Sequence, residues 1–532
     1  WDAALNRLQV YLEQAEKGVC GNNIAFDLDM LEHTRDFKVK LTGIHDVGLI
    51  WSQAKQYKMP SQKQLVANEL DGYRYLVYDP SREQDLGLLA NYNAEDVIFS
   101  IRLFRKGIRL LRPKTQDLVT RVLGPVSLCL RQITSGGFHI REDYRRAKIV
   151  EYKQRRAQVI ADWRKADPRF IPTEHESGKG IKRYLFDVCG LPVLETTDNG
   201  SPVTDKSALK QWIRDGATQL QHTLDMREID KVLSTYLIPY DDFVDGNSRI
   251  HSKYNLATDS GRPASSKPNV QNIPRPPEIR DLFGVPAGSV MMEADLNQAE
   301  FRIMVCLAQD ETGIAGYLRG EDAHITTAKQ FAPVPTKEQR FHAKPINFAL
   351  LYGGDWFNVQ RAARDDFGLD WGQTDCQSFT AGFFNTYARL PAFHTNSKVR
   401  LIENRGWFES VLGHVFHYND WNHPNKGTQD HAFRAALNSE AQGPSAQICF
   451  AIMVQARRLL DAKGMTTVRF INTVHDSILL EIPNPVWAPD VVAVFEEARA
   501  IVYEWVKAWF VVPLVLDYKR GESWGSLEEY TL

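Results

Sequence analysis

The sequence lacks paired cysteines, long apolar runs and a strong excess of either charge. Its six cysteines form no C-x-x-C pair, which argues against a zinc site or a disulfide framework and favours a reducing compartment. No apolar run approaches the length of a membrane span, so we expect no membrane partner. The net charge is only −2, so any affinity for nucleic acid must come from local basic patches.

Length and composition indicate several globular domains. The 532 residues are too many for one core, and this length predicts about three or four domains. Hydrophobic residues make up 43% and charged residues 24%, both ordinary for a globular protein. The chain begins with Trp1 rather than methionine, from which we expect a fragment or a processed product.

A basic run lies between residues 141 and 169, in a stretch that reads as helix. A solvated helix face is the more common meaning of such a run, and a surface that follows nucleic-acid phosphates is the other. A Gly/Lys-rich segment at 177–183 reads as a turn. The basic residues of the run are Arg145, Arg146, Lys148, Lys153, Arg155, Arg156, Arg164 and Lys165.

Two aspartates stand where carboxylates could share a metal ion. Asp295 ends an apolar strand that begins near residue 289, and Asp476 lies at the tip of a hairpin between runs 468–474 and 477–482. Each aspartate alone is more often a turn or capping residue. Together they suit Mg²⁺, which favours one or two carboxylates plus substrate phosphates, and such ions assist phosphoryl transfer.

Two predicted helices carry polar side chains at four-residue spacing. The first has Arg340, Lys344, Phe348 and Tyr352 on one face, and Thr336 with Gln339 forms a capping box at its start. Cations beside aromatic rings suit a triphosphate and a base. The second helix has an arginine and two amides that suit the groove of a duplex. Alone, each pattern is more often an ordinary polar helix face. The second set is Arg434, Asn438 and Gln442.

Four segments, in order along the chain, together resemble the motifs of one protein family. They are Thr258–Pro274, Asp295–Arg302, Arg340–Gly353 and Val474–Ser477. In this order they are similar to the primer-template strand motif and to motifs A, B and C of the family A DNA polymerases. This family includes bacterial DNA polymerase I and many phage replicases. The similarity extends weakly over about residues 113–532.

The resemblance implies a role for each matched residue. The metal ligands are Asp295, Asp476 and the backbone carbonyl of Leu296, and the catalytic set is Asp295, Asp476 and Lys344. The implied cofactor is a pair of Mg²⁺ ions, for which Mn²⁺ can substitute. The nucleotide-binding set is Arg340, Lys344, Phe348, Tyr352, Glu300, Gln298 and His324. The DNA-binding set is Arg262, Gln271, Arg434, Asn438, Gln442, His475 and Lys231.

Within the nucleotide-binding set, the resemblance implies distinct tasks. Arg340 and Lys344 grip the incoming triphosphate, and His324 binds a further phosphate oxygen. Phe348 lies beside the sugar and Tyr352 near the templating base. Glu300 is similar to the steric gate that crowds a ribose 2′-hydroxyl.

The chain departs from the family pattern at two positions. Motif C usually has a glutamate after its aspartate, but Ser477 stands there, so one carboxylate near the metals is missing. Pro345 lies inside the motif B helix, where we expect a kink because proline cannot donate the helical hydrogen bond.

The amino-terminal region resembles part of the 3′–5′ proofreading exonuclease attached to this family. Segments 21–28 and 92–97 are similar to its second and third motifs, with Asp27 and Asp96 as metal ligands and Tyr92 orienting the attacking water. The first motif, Asp-x-Glu, occurs nowhere before residue 113. Either the chain is truncated or the nuclease is degenerate, so we expect an incomplete nuclease site.

The implied architecture is an α/β multidomain protein with a right-hand polymerase. We expect a partial RNase H-like exonuclease domain at 1–112 and a connector with the thumb at 113–255. The palm, around an antiparallel sheet, is expected at 256–310 and 411–532, and helical fingers at 311–410.

The implied function is templated addition of deoxynucleoside triphosphates to primer-template DNA, with release of pyrophosphate. One alternative is a single-subunit RNA polymerase, against which the gate-like Glu300 argues. The other is a 3′–5′ exonuclease whose polymerase-like half only binds DNA, against which intact Asp295, Asp476, Arg340 and Lys344 argue. We expect a cytoplasmic or nucleoid-associated location, including a phage-infected cell or an organelle. No replisome or processivity partner is indicated.

Overall fold

A computed structural model describes most of the chain. The described residues are 7–11, 15, 18–35, 43–55, 60–71, 73, 86–172, 178–197, 199–330, 332–367, 369 and 371–532. In this part of the chain, no helix has the length and apolar character needed to cross a membrane.

The amino-terminal region combines helices with short strands. Strands β1 (Val19–Gly21) and β2 (Ile44–Asp46) pair in parallel. Leu28, Ile44 and Ile50 belong to the same buried cluster as the strands of the central sheet, so this region packs directly on the main core. Its helices are α1 (Ile24–Arg35), α2 (Val47–Lys55), α3 (Gln62–Glu69) and α4 (Leu86–Leu110).

Residues 113–288 form a largely helical region with one small buried cluster of its own. In this cluster the rings of Trp163 and Phe170 stack with their centroids 3.7 Å apart. The helices are α5 (Pro113–Leu118), α6 (Gly124–Gly136), α7 (Glu142–Ala166), α8 (Gly178–Arg183), α9 (Lys206–Arg214), α10 (Gln221–Lys231) and α11 (Pro277–Arg280). Three π-helical turns occupy Val119–Leu123, Tyr184–Val188 and Val232–Leu237. Short strands are β3 (Phe138–His139), β4 (Arg249–Ile250), β5 (Lys253–Asn255) and β6 (Ala264–Ser266).

The structure clarifies two features of this helical region. The segment predicted as a turn at 177–183 is helical from Gly178 to Arg183, because Ile181 can bury its side chain in the small cluster around Trp163. Most of the basic run lies on α7, and most of its side chains pair with acids of the protein. These pairs favour the interpretation as an ordinary helix face over a surface that follows nucleic-acid phosphates. Examples are Arg145 with Glu142 at 2.7 Å and Arg156 with Asp230 at 2.6 Å.

A five-stranded antiparallel sheet occupies the centre of the molecule, in the order β10-β11-β7-β12-β13. Along β7, Val290, Met292 and Ala294 join the main core, so the alternate residues Glu293 and Asp295 face the opposite side. The strands are β7 (Val290–Leu296), β10 (Arg469–Val474), β11 (Ser477–Ile482), β12 (Leu516–Gly521) and β13 (Glu528–Glu529). The helices that flank the sheet include α12 (Ala299–Ala308), α19 (Lys426–Ala462) and α20 (Ala488–Val506).

A group of helices lies between α12 and α19 in the sequence. Among them, α15 begins with the predicted capping box of Thr336 and Gln339 and continues through Pro345. The bend expected at this proline stays a prediction. The helices are α13 (Glu311–Leu318), α14 (Ala323–Ala328), α15 (Lys337–Leu351), α16 (Trp356–Phe367), α17 (Gln373–Thr386) and α18 (Leu390–Glu403). A hairpin of β8 (Trp407–Glu409) and β9 (Val415–His417) follows them.

A buried ion pair ties the helical region 113–288 to the central sheet. Arg249 donates from Nη2 to both carboxylate oxygens of Glu481 at 2.9 and 2.8 Å, and both side chains are at most 10% exposed. Glu481→Ala should lower the free energy of unfolding by about 3–5 kcal/mol, because it leaves a buried guanidinium without a counter-charge. Chemical denaturation measures this loss.

The matched control is Glu504→Ala, which removes one partner of the exposed pair Lys507–Glu504. Exposed pairs contribute about 0–1 kcal/mol, so this variant should unfold almost like the wild type. Equal losses for Glu481→Ala and Glu504→Ala would contradict the assigned role of the buried pair.

Candidate active site

The two predicted metal-binding aspartates lie side by side on neighbouring strands. In the register of β11 with β7, Ser477 is directly opposite Asp295, and Asp476 immediately precedes Ser477 at the hairpin tip. The backbone N–H of Leu296 donates to the carbonyl of Asp476 at 3.1 Å and ties the tip to β7. His475 has a φ of 57°, which suits the tight two-residue loop.

The electrostatics of this pair favour a bound cation. Burial, followed by repulsion from Asp476, raises the pKa of Asp295 well above its usual value. Burial also raises the pKa of Asp476, although Arg262 and Lys344 act in the opposite direction. Two desolvated carboxylates that repel each other suit a divalent cation. Its charge would offset both the cost of their desolvation and their mutual repulsion.

The number of acids suits an ion that also binds substrate. No group of three or more His, Cys, Asp or Glu side chains among the described residues is arranged to hold a metal. Mg²⁺ commonly takes only one or two protein carboxylates and completes its shell with water and substrate phosphates. The donor set therefore matches Mg²⁺ better than a metal that needs a full cage of protein ligands.

Helix α15 presents its predicted face to the same space. Arg340, Lys344, Phe348 and Tyr352 line a cavity of about 1070 Å³ together with Asp295, Leu296 and Asp476. The rings of Phe348 and Tyr352 stack with centroids 6.0 Å apart. The helix thus brings two cations and two rings to the aspartates, as the four-residue spacing predicts.

His324 is held neutral beside this helix. It is only 2% exposed, and burial lowers its pKa to about 4. The amide of Asn347 lies 2.8 Å from its Nδ1, so with Asn347 as the donor the ring keeps its proton on Nε2. His324 also lines the cavity, where this N–H can serve as a neutral donor.

Glu300 and Gln298 lie at the beginning of α12. Glu300 pairs with Arg262, and burial raises the pKa of Glu300 to about 7. Gln298 has a φ of 49° and precedes the first turn of the helix. Both side chains line the same cavity as Asp295.

The residues predicted to bind DNA divide between two cavities. Five of them, Arg262, Gln271, Gln442, His475 and Lys231, line the cavity with the aspartates. Arg434 and Asn438 instead line an adjacent cavity of about 560 Å³, which shares Phe348 and Tyr352 with the first. In the part of the chain that the structure describes, the hydroxyl of Tyr352 and the carboxamide oxygen of Asn438 are buried without a hydrogen-bond partner, which fits a polar ligand there.

Comparison with known proteins assigns the family. A sequence model of DNA polymerase family A matches residues 147–526. The chain belongs to DNA polymerase family A. This confirms the family that the four motifs predict.

Relatives and a solved structure support the assignment. The thermostable DNA polymerase I of Thermus aquaticus is 29% identical over 77% of this chain and 49% of its own length. DNA polymerase I of Pseudomonas aeruginosa is 27% identical over 98% of this chain and 58% of its own length. This member of family A therefore spans roughly half the length of these two curated relatives.

The fold is similar to a structure described as the POL domain of Pol1 from M. smegmatis in complex with DNA primer-template and dNTP. The TM-score is 0.79 at 23% identity, over 94% of this chain and 85% of that chain. The likeness confirms the predicted mixed α/β polymerase fold. The exonuclease-like nature of the amino-terminal region stays a prediction.

Sequence reasoning missed several cavity residues of this family A member. Arg275 and Arg280 follow the strand motif and add positive charge, and a longer reading of that motif could have found them. Asp517 lies directly opposite Asp295 on β12, and Lys519 pairs with Glu293 at 3.3 Å. No local sequence pattern identifies Asp517 and Lys519 as cavity residues, because their position depends on the pairing of β12 with β7, which is distant in sequence.

The serine that replaces the motif C glutamate takes part in the hydrogen bonds of the hairpin turn. Ser477 is buried at 4% exposure, and its hydroxyl donates to the carbonyl of Val474 at 3.1 Å. The hydroxyl of Thr473 in turn donates to the carbonyl of Ser477 at 3.0 Å. Ser477 therefore stabilises the hairpin turn next to Asp476.

The amino-terminal acids also lie near each other. Burial and the negative charge of Asp96 both raise the pKa of Asp27. Asp27 is in the first turn of α1, whereas Tyr92 and Asp96 are on α4, with Lys63 placed 5.3 Å over the ring of Tyr92. The structure thus places two predicted nuclease carboxylates near each other, and neither lines the cavity that contains Asp295.

The repulsion at the aspartate pair has a measurable consequence for stability. Asp295→Asn should raise the thermal unfolding midpoint of the metal-free protein, because it removes a desolvated charge next to Asp476. Added Mg²⁺ should raise the midpoint of the wild type much more than that of the variant, since a ligand stabilises the state it binds. A scan in chelator and in Mg²⁺, with Glu504→Gln as control, measures both effects. A metal-free variant that melts below the wild type would contradict this account.

Proposed function

We propose that this chain is a template-directed DNA polymerase that adds deoxynucleotides to a primer 3′ end and releases pyrophosphate. The observation that carries the proposal is one cavity that the half-buried Asp295 and Asp476 line together with Arg340 and Lys344 of α15. Family membership and the polymerase fold support it. The partners are primer-template DNA and deoxynucleoside triphosphates.

The proposed cofactors are two Mg²⁺ ions, with Mn²⁺ as a working substitute. Asp295, Asp476 and the backbone carbonyl of Leu296 would hold them. When bound, such ions neutralise the attacking and leaving oxygens of an in-line phosphoryl transfer. Burial and repulsion between carboxylates raise the pKa of both aspartates, so a bound cation would stabilise their charged forms.

The triphosphate lies against α15 in this proposal. Arg340 and Lys344 supply positive charge where negative charge develops on the leaving pyrophosphate, which is the usual way enzymes accelerate phosphoryl transfer. His324 adds a neutral N–H donor at the same wall. Gln298 supplies a further polar group at the beginning of α12.

In this proposal the sugar and the DNA duplex lie against the other walls of the cavity. Glu300 crowds the 2′ position of the sugar, Phe348 lies beside the ring, and Tyr352 lies near the templating base. The guanidinium of Arg262 pairs with the gate residue Glu300. In this proposal Arg262 also contacts the primer terminus, so it connects the gate with the primer. The residues proposed to hold the primer terminus and the minor groove are Arg262, Gln271, Gln442, His475, Lys231, Arg434 and Asn438.

We further propose a right-hand division of the chain. The palm comprises 256–310 and 411–532 with the central sheet, the fingers 311–410 with α15, and the connector with the thumb 113–255. Residues 1–112 form a partial RNase H-like exonuclease domain that lacks the first carboxylate motif. Asp27 and Asp96 are the remaining carboxylates of that nuclease, and their proximity supports this assignment.

The central test replaces the aspartates. Asp295→Ala and Asp476→Ala should each abolish primer extension while leaving primer-template affinity within about threefold, because the duplex is held mainly by other residues. Extension assays and DNA-binding titrations measure the two properties, and Glu504→Ala is the control. Near-normal extension by either aspartate variant would overturn the proposal.

The gate assignment makes a separate prediction. Glu300→Ala should reduce discrimination against ribonucleotides by about tenfold or more, since tenfold corresponds to only about 1.4 kcal/mol. The matched variant Glu300→Gln keeps the bulk but loses the charge partner of Arg262, so it should keep most of the discrimination. The measurement is kcat/KM for deoxy- and ribonucleotides. Equal loss in both variants would show that the ion pair, not bulk, excludes the 2′-hydroxyl.

A further inference from the structure

One carboxylate outside the predicted site connects three of its nucleotide-binding residues. Asp322 lies at the start of α14, and its Oδ1 accepts from the backbone N–H groups of His324 and Ile325 at 2.8 and 3.0 Å. Its Oδ2 accepts from Nε and Nη2 of Arg340 at 2.9 and 2.6 Å. The same oxygen accepts from Nε2 of Gln298 at 3.1 Å.

These bonds join elements that are distant in sequence. Gln298 belongs to the turn after β7, His324 to α14 and Arg340 to the second turn of α15. Gln298 is further held because its carboxamide oxygen accepts from the N–H of Ala323 at 3.2 Å and from the hydroxyl of Tyr317 at 3.2 Å. Asp322 is therefore fixed from both sides and cannot withdraw without breaking the helix cap.

We propose that Asp322 is a positioning residue that orients Arg340, together with Gln298 and His324, for the triphosphate of the incoming nucleotide. This inference rests on the proposed polymerase function. Asp322 acts through these side chains and needs no contact with the substrate of its own.

The donor count of Arg340 supports positioning. A guanidinium has five N–H donors in one plane, and Asp322 uses two of them. The bond at Nε and the bond at Nη2 together fix the plane, so the Nη1 edge keeps a defined direction. Three donors remain for phosphate oxygens, and less side-chain entropy is lost when the nucleotide binds.

The beginning of α15 is fixed as well. Thr336 accepts from the N–H of Gln339 at 3.2 Å, and the side chain of Gln339 accepts from the N–H of Thr336 at 2.9 Å. Arg340 follows this capping box immediately, so its Cα has a defined position relative to Asp322. A side chain anchored at both ends suits a role in geometry.

The alternative role for Asp322 would be to compete with the nucleotide phosphates for Arg340. A carboxylate so close to Arg340 could hold the guanidinium away from phosphate until the substrate displaces it. Removal of Asp322 would then improve nucleotide binding, whereas removal of a positioning residue weakens it. The direction of the change in KM therefore separates the two roles.

The test uses Asp322→Ser, because serine is also a good helix N-cap but is too short to reach Arg340. We expect the KM for deoxynucleotide to rise about tenfold while kcat stays within about threefold. The dissociation constant of deoxynucleotide from the complex with dideoxy-terminated primer-template should rise similarly, without any turnover. The control Glu321→Gln alters the exposed neighbour that pairs with Arg319 and should change neither value.

A double-mutant cycle completes the experiment. In an Arg340→Ala background, Asp322→Ser should add less than about threefold, because the partner it orients is gone. An unchanged or lowered KM in Asp322→Ser, or an equally large effect in both backgrounds, overturns the inference alone. A wild type that binds no deoxynucleotide and extends no primer overturns the proposed function and this inference with it.

Discussion

The register between β7 and β11 is the constraint on which the rest of the site depends. Because side chains alternate along a strand, a slip of one residue would turn Asp295 into the core and bring Ala294 to the cavity. The slip is prevented by the apolar residues Val290, Met292 and Ala294, which must face the main core. The hydrogen bond from Leu296 to the carbonyl of Asp476 then fixes the hairpin tip against β7. Core packing on one face of the sheet thus determines where the carboxylates lie on the other.

The cavity balances two opposite sets of charges. Acids cluster on the sheet, where Glu293, Asp295, Asp476 and Asp517 lie, and bases converge from the surrounding elements. Each acid that is not proposed to hold metal has a partner: Glu293 pairs with Lys519, and Asp517 accepts from the side chain of Asn297 at 2.8 Å. Asp295 and Asp476 differ from these acids, because burial and repulsion from neighbouring carboxylates raise the pKa of both. This contrast supports the proposal that these two aspartates hold the metal ions.

The sequence predicts the local features of the site well and its long-range pairings poorly. The capping box of α15 and the hairpin that carries Asp476 depend on neighbouring residues, and both are found where the sequence places them. The strand of Asp295 extends to Leu296, beyond the predicted end, because Leu296 pairs with Leu516 on β12. Asp517 and Asp322 could not be identified, since one depends on strand order and the other on how α14 meets α15. The helix at Gly178–Arg183 was missed because glycine and lysine have no apolar periodicity, and only tertiary packing of Ile181 decides its structure.

The most direct test of the central claim counts the divalent ions held by the aspartate pair. The measurement is the number of Mn²⁺ ions bound, by electron paramagnetic resonance, in a complex with dideoxy-terminated primer-template and a matching deoxynucleoside triphosphate. The account predicts about two ions for the wild type. It predicts fewer for Asp295→Asn and for Asp476→Asn. Two ions retained in both variants would contradict a metal site built on the register of β7 and β11.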